Sequence, residues 1–317
     1  MRTSFPELVG CSVPVQQAPM GAVSSPDLAV AVADAGGVGT VTGLGTPPEV
    51  LLRRLDGMRA RTSGALSVNV LLPDVDEGVL ADLAARVRLV DLFWFDPAPR
   101  LVELVHRAGA LVGWQVGSVA EARAAVDAGC DVVTVQGVEA GGHVRGTTPL
   151  RTLLPEVLDA VDVPVLAAGG IGDGHALADV VAAGAAGARI GTRFLATTES
   201  AAHPAYKQAV VDAAGDCTEI TGAFAAECPL CASSPRARVL RASVERLAET
   251  DDDVVATIGR NRVPVPRGAG IPPVAGAEGR IDAMPMYAGA GVGAVTEIRP
   301  AAEVVAELAA ALQGRDP

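Results

Sequence analysis

Short apolar runs alternate with amphipathic helical stretches through the first two-thirds of the chain. The runs are Val13–Ala18, Val38–Thr42, Leu66–Leu71, Val90–Phe95, Ala110–Val116, Asp131–Gln136, Val163–Ala168 and Ala188–Gly191, and they predict eight strands in about 180 residues. The intervening helices end in Ala-Gly, at Ala35-Gly36, Ala108-Gly109, Ala128-Gly129 and Ala183-Gly184, and Val, Ile or Leu follows within a few residues. Glycine there closes a helix in the left-handed conformation and lets the chain turn back into a strand. Helix starts are marked as well. Ser25-Pro26, Thr46-Pro47-Pro48-Glu49, Ser118-Val119-Ala120-Glu121 and Thr148-Pro149 each set a capping hydroxyl ahead of a proline or a glutamate.

Eight strands alternating with helices predict an α/β protein of the (β/α)8 TIM barrel class. The same alternation fits a doubly wound sheet, and the count favours the barrel. After the eighth run the texture changes: Thr197 to about Pro285 is more polar, with Asp251-Asp252-Asp253, Arg236, Arg238 and Arg241, and a Pro/Gly-rich stretch from Val263 to Gly279. The expected organisation is a barrel over residues 1–198 and 286–317, interrupted by a smaller, helical inserted domain over 199–285. A final helix from Pro300 to Leu312 is expected to close the barrel.

Composition narrows the class. Half the residues are hydrophobic but only 3% are aromatic, so the core must be built from Ala, Val and Leu. Lysine and arginine number 25 against 37 acidic residues, a net charge of −12, which argues against a nucleic-acid partner. Mean hydropathy is +0.35, yet no apolar run approaches the ~18 to 20 residues that a bilayer requires. The chain therefore reads as soluble, with no membrane partner. Met1 to Gly10 lacks the apolar core of a signal peptide, so the expected compartment is the cytoplasm. Five cysteines, an odd number thinly spread, suit reduced thiols better than a disulfide framework. Cys228-Pro229-Leu230-Cys231 has the spacing of a metal knuckle, but no second pair completes a four-ligand site. No metal is expected.

In a barrel, chemistry belongs at the C-terminal ends of the strands. The seventh run is followed by Ala167-Ala168-Gly169-Gly170-Ile171-Gly172-Asp173-Gly174 and the eighth by Gly191-Thr192-Arg193-Phe194. Glycines let backbone amides approach an anion, a helix N-terminus adds a favourable dipole, and barrels commonly bind phosphate at these two loops. Two tight βα turns are the alternative. The loop after the sixth run, Gln136-Gly137-Val138-Glu139-Ala140-Gly141-Gly142-His143-Val144-Arg145-Gly146, holds one of four histidines in a flexible setting. His143 is a candidate general base, against the alternative of a structural histidine. Near the first and third strand ends lie Gln17-Ala18-Pro19-Met20-Gly21 and Val68-Asn69-Val70. A buried Asn69 amide needs a partner, which a bound heterocycle or neighbouring backbone would supply.

Together, Gln17-Ala18-Pro19-Met20, Gly64 to Asn69, Glu139-Ala140-Gly141-Gly142-His143, Ala167-Ala168-Gly169-Gly170-Ile171, Gly191-Thr192-Arg193-Phe194 and the turn from Tyr287 to Gly293 resemble the nitronate monooxygenase family, formerly called 2-nitropropane dioxygenases. The flavin-type enoyl-acyl carrier protein reductases share several of these segments. The resemblance implies FMN across the strand ends, with its phosphate on Gly169, Gly170, Gly191 and Thr192. It implies ring contacts near Met20, Asn69 and Gln136, and adds Ala18, Pro19, Gly141, Gly142 and Ala168 to the cofactor-binding set. His143 would be the base, deprotonating a neutral nitroalkane. The implied reaction is oxidation of a small-molecule nitronate with O2. Two alternatives stand beside it: an NAD(P)H-dependent flavin reductase of enoyl thioesters or quinones, and a non-redox barrel binding a phosphorylated ligand. A homodimer is one option for the assembly. Two positions depart from the family pattern: Ala290 stands where the closing turn usually carries glutamine, and Lys207 is the single lysine.

Overall fold

The computed structural model describes residues 4–71, 76–226, 228 and 236–313. Eight parallel strands close into a barrel: Val15–Gln17, Val38–Thr42, Ala65–Val70, Leu89–Leu92, Leu111–Val116, Val132–Gln136, Val165–Ala168 and Gly187–Ile190. Each predicted run becomes one of them, in sequence order, and the eighth pairs back on the first through Gln16 and Arg189.

The punctuation behaves as the physics requires. Gly36, Gly109, Gly129 and Gly184 all adopt positive φ where a helix hands the chain to the next strand. Ser25 caps Pro26–Asp34, its Oγ accepting from Leu28 N–H at 3.0 Å. The start at Thr46 is displaced by one residue: Pro47 is the cap and the helix runs Pro48–Arg59. A residue preceding proline is pushed out of the α region, so Pro47 stays extended (φ −55°, ψ 139°) and Thr46 lies outside. Pro149 likewise caps Leu150–Ala160 without a side-chain bond.

The helices cover the barrel with a layer of Leu, Val and Ala, as the scarcity of aromatics requires. At the barrel's N-terminal end, the helix Phe5–Val9 inserts Phe5 and Val9 among Val38, Ala65, Val132 and Leu166, plugging the floor. The last helix, Ala301–Gln313, buries Ala301, Val304, Val305 and Leu308 and packs against Pro26–Asp34 and Gly174–Ala182, which closes the ring of helices.

The segment between the eighth strand and this helix is more β than expected. It holds helices Pro204–Val211 and Arg241–Ala248 and contributes to two small antiparallel sheets. One sheet places Val254–Ile258 between Val263–Pro266 and Glu278–Gly279. The other pairs Thr218–Thr221 with Ala237–Leu240, which then pairs with the two residues Gly142–His143 from the loop after the sixth barrel strand. No helix among the described residues is long and apolar enough to cross a membrane.

Candidate active site

His143 owes its position to two independent anchors. Its backbone is the outer strand of the small sheet, opposite Ala237. From the other side, Gln136 at the end of the sixth strand clamps the loop: Nε2 donates to the His143 carbonyl (2.9 Å) and Oε1 accepts from Arg145 N–H (3.0 Å). The imidazole sits edge-on to Trp94, with ring centres 5.7 Å apart, and 6.0 Å from the ring of Tyr287. Its Nε2 lies 3.2 Å from Cys228 Sγ. Burial lowers its pKa below the usual 6.5, so the ring is neutral near physiological pH. Trp94 itself holds φ at +78°, a left-handed conformation that a bulky residue adopts only when its surroundings fix it. The Arg145 guanidinium stands 5.9 Å over the indole.

The glycine loops meet backbone to backbone. A Cβ on Gly291 would lie 2.2 Å from the Gly170 carbonyl oxygen, and one on Gly141 would lie 2.7 Å from Gly289 N. Ala290 N–H donates to the Glu139 carbonyl (2.9 Å) and Gly289 N–H to Thr192 Oγ1 (3.0 Å). The loops after strands six, seven and eight and the closing turn therefore form one continuous backbone wall. Asp173 caps helix Gly174–Ala182 by accepting from Ala176 N–H (2.8 Å), and the loop before it lines the strand ends with Ala168, Gly169, Gly170 and Ile171.

These parts surround a cavity of about 380 Å³ at the C-terminal mouth of the barrel, within the usual range of ligand pockets. Ala18, Pro19, Met20, Asn69, Gln136, Gly141, Gly142, His143, Ala168, Gly169, Gly170, Gly191 and Thr192, the thirteen residues singled out from the sequence, all line it. The Met20 loop is tied down by Ser24, whose Oγ accepts from Met20 N–H (2.8 Å) and from Gln17 Nε2 (3.0 Å). Asn69 is buried; its Nδ2 donates to the Asp91 carbonyl, while its Oδ1 has no hydrogen-bond partner.

Tyr206, Ile271 and Pro272 also line the cavity, and no sequence motif marks them. Tyr206 donates to the Tyr287 carbonyl (2.6 Å), and Tyr287 donates to the Gly270 carbonyl (3.0 Å), holding Ile271 and Pro272 at the rim. Beneath the mouth the barrel interior is polar: Arg189 is engaged by Asp91, Gln16 and Gln115. The sequence did carry a signal for that pair, since opposite charges stand in two apolar strand runs and each needs a partner once buried.

Several other ionisable side chains lie away from the cavity and serve the fold. His106 pairs with Asp131, and His203 caps helix Pro204–Val211. Arg238 donates to the Val138 carbonyl and Arg241 pairs with Glu219, so these arginines brace the fold. Lys207 Nζ donates to the Thr197 carbonyl (2.7 Å). Cys228 meets His143, whereas Cys231 lies outside the described residues. No cluster of three or more metal-ligating side chains occurs among the described residues.

A model of the nitronate monooxygenase family matches residues 2–82 and 75–311. The chain belongs to that family. It is 39% identical over 201 residues to (3aS,4S,5R,7aS)-5-hydroxy-7a-methyl-1-oxo-octahydro-1H-indene-4-carboxyl-CoA dehydrogenase of Rhodococcus jostii, covering 63% of this chain and 57% of the relative. The Mycobacterium tuberculosis protein of the same name is 37% identical over 226 residues, covering 70% of this chain and 63% of the relative. The chain thus spans about three-fifths of the length of both. A probable nitronate monooxygenase of Bacillus subtilis is 31% identical over 255 residues, 67% of this chain and 74% of that one. Among solved structures, FabK from Thermotoga maritima superposes with a TM-score of 0.79 at 27% identity, covering 99% of this chain and 96% of that one. Nitroalkane oxidase from Streptomyces ansochromogenes gives 0.77 at 29% identity, covering 98% of each chain.

Proposed function

We propose that the protein is an FMN-dependent oxidoreductase that oxidises alkyl nitronates with O2. The observation that carries this reading is one cavity in which a neutral, half-buried His143 faces a wall of glycine backbone from three consecutive strand ends. The residues present fit FMN. Gly169 and Gly170 have positive φ and pack against Ala140 and Glu139 where a Cβ would crowd, and both line the cavity, where their main chain suits a phosphate. The unpartnered Asn69 Oδ1 is the kind of buried acceptor that a heterocyclic N–H satisfies.

FMN, when bound, supplies the two-electron redox step and passes the electrons to O2. The chain's own residues do the rest. Gly169, Gly170, Gly191 and Thr192 hold the phosphate, and Met20, Asn69 and Gln136 flank the ring, with Gln136 also bracing the His143 loop. His143 takes the α-proton of a neutral nitroalkane, for which a neutral imidazole in an apolar setting is suited. Ile271, Pro272 and Leu44 give the mouth an apolar lining that limits water.

A second reading is favoured by the two carboxyl-CoA dehydrogenases at 39% and 37% identity: a flavin dehydrogenase or reductase of CoA or carrier-protein thioesters, exchanging electrons with a nicotinamide. An anaerobic absorbance titration separates the two. Bleaching of a flavin band by propionate 3-nitronate and not by NADH or NADPH is expected. Bleaching by a nicotinamide alone selects the second reading, and no flavin band after adding FMN overturns both.

A further inference from the structure

Among the described residues that line the cavity, Arg189 is the only one that carries a formal charge at neutral pH, given a neutral His143. No acidic side chain among the described residues lines the cavity. Arg189 projects from the middle of the eighth strand into the barrel, only 3% exposed. Its Nε and Nη2 donate to Gln16 Oε1 (3.1 and 2.9 Å) and its Nη1 donates to Gln115 Oε1 (2.8 Å). Nη2 also pairs with Asp91, which in turn accepts from Ser67 and from Gln16 Nε2. Asp91 is buried behind this network and does not reach the cavity. The pair is neutral as a whole, but its positive end lines the cavity and its negative end lies in the barrel core.

A buried ion pair is poor evidence for stability, because desolvating both charges offsets most of their attraction. This one is oriented, and its orientation has a chemical meaning. We propose that Arg189, held by Asp91, Gln16 and Gln115, is the cation that stabilises negative charge accumulating on the group bound in this cavity. This rests on the FMN reading above: a flavin gains negative charge when it accepts electrons, and a nearby positive charge tunes how readily it does so. Asp91 sets the strength of that field, since it partly cancels the guanidinium. Removing the arginine and removing the aspartate must then act in opposite directions. At an effective dielectric of about 20, a unit charge roughly 10 Å away shifts such an equilibrium about tenfold.

The test uses the FMN-loaded protein and sulfite, which adds its lone pair to an oxidised flavin and leaves the added negative charge on the ring. Sulfite affinity and the flavin midpoint potential are measured for wild type, Arg189→Gln, Asp91→Asn and the double variant. Arg189→Gln is expected to weaken sulfite binding about tenfold and lower the potential, whereas Asp91→Asn strengthens binding and raises the potential. The double variant, which replaces the charges with a neutral amide pair, falls between Arg189→Gln and wild type. Both single variants moving in one direction is the signature of a merely structural role and overturns the proposal. If neither single variant folds, the double variant decides: weaker sulfite binding than wild type supports the proposal, and equal binding overturns it. A protein that shows no flavin band at all overturns the FMN reading itself, which keeps the two failures distinct.

Discussion

Cys228 Sγ sits 3.2 Å from Nε2 of His143, although 85 residues separate them in the chain. A base that works through one ring nitrogen depends on what holds the other parts of the ring, because a partner fixes both orientation and tautomer. Cys228 is not a wall of the cavity, so its effect passes through His143. Replacing Cys228 by Ala is expected to lower the ratio of turnover on a neutral nitroalkane to turnover on its preformed nitronate, since only the former needs the base. Cys228→Ser, which keeps a polar partner, should restore much of that ratio. An identical ratio in all three proteins would remove Cys228 from any role in positioning the imidazole.

The same imidazole sets the pH behaviour. Burial lowers the His143 pKa below 6.5, so the base stays unprotonated into mildly acidic solution. Turnover of a neutral nitroalkane should therefore hold down to pH 6.5 and decline only below it, and the decline should vanish in His143→Gln along with most of the activity. Stability follows the same sign. Between the lowered folded pKa and the ordinary value near 6.5 the unfolded chain binds more protons than the folded one, so this group's contribution is complete above about 6.5 and is lost as the pH falls from there. Chemical denaturation of wild type and His143→Gln at pH 5 and pH 8 measures the difference.

How much of this was legible in the sequence depends on distance along the chain. The eight strands and the helix-ending glycines are local events, decided by a few neighbouring residues, and they read correctly. Strand interiors did not. Asp91 and Arg189 sit in runs that look apolar because the outward residues meeting the helices are Leu, Val and Ile, while the inward row alternates with them and is polar. The glycine loops and His143 were visible as motifs at strand ends. Cys228 and Ile271 were not, because they come from the excursion between the eighth strand and the last helix, which has no periodic pattern to place them. The excursion also explains why the sheet partner of His143 is Ala237, a pairing that no local signal marks.

Glycine has two opposite meanings in this fold, and alanine substitution separates them. At Gly291 an added Cβ meets the Gly170 carbonyl at 2.2 Å, backbone against backbone, with no flexible side chain to yield. Gly291→Ala is expected to lose about 1–3 kcal/mol, typical of overpacking, and to weaken FMN binding because it pushes the closing turn off the loop after strand seven. Gly57 lies exposed within helix Pro48–Arg59 with nothing within 4 Å of its added Cβ. Gly57→Ala should instead raise stability by roughly 0.5–1 kcal/mol through backbone entropy. Paired urea denaturation curves check both signs at once.

Asn69 offers the sharpest separation of holding the fold from holding a ligand. Its Oδ1 is buried without a partner, so in the ligand-free protein this oxygen stabilises nothing and carries a desolvation cost. Only the Nδ2 bond to the Asp91 carbonyl, at 3.2 Å, supports the barrel. Asn69→Ala should therefore change the stability of flavin-stripped protein by no more than about 1 kcal/mol, because the lost bond and the relieved oxygen oppose each other. FMN affinity should fall roughly tenfold, the consequence of losing one buried acceptor for a ligand N–H. Thermal melts without FMN and at one fixed excess of FMN read both quantities, since a ligand that binds only the folded state stabilises it by an amount that grows with the logarithm of its affinity. A variant whose stripped form melts far below wild type would mark Asn69 as a structural residue, and one that gains as much from FMN as wild type does would show that Oδ1 meets no ligand.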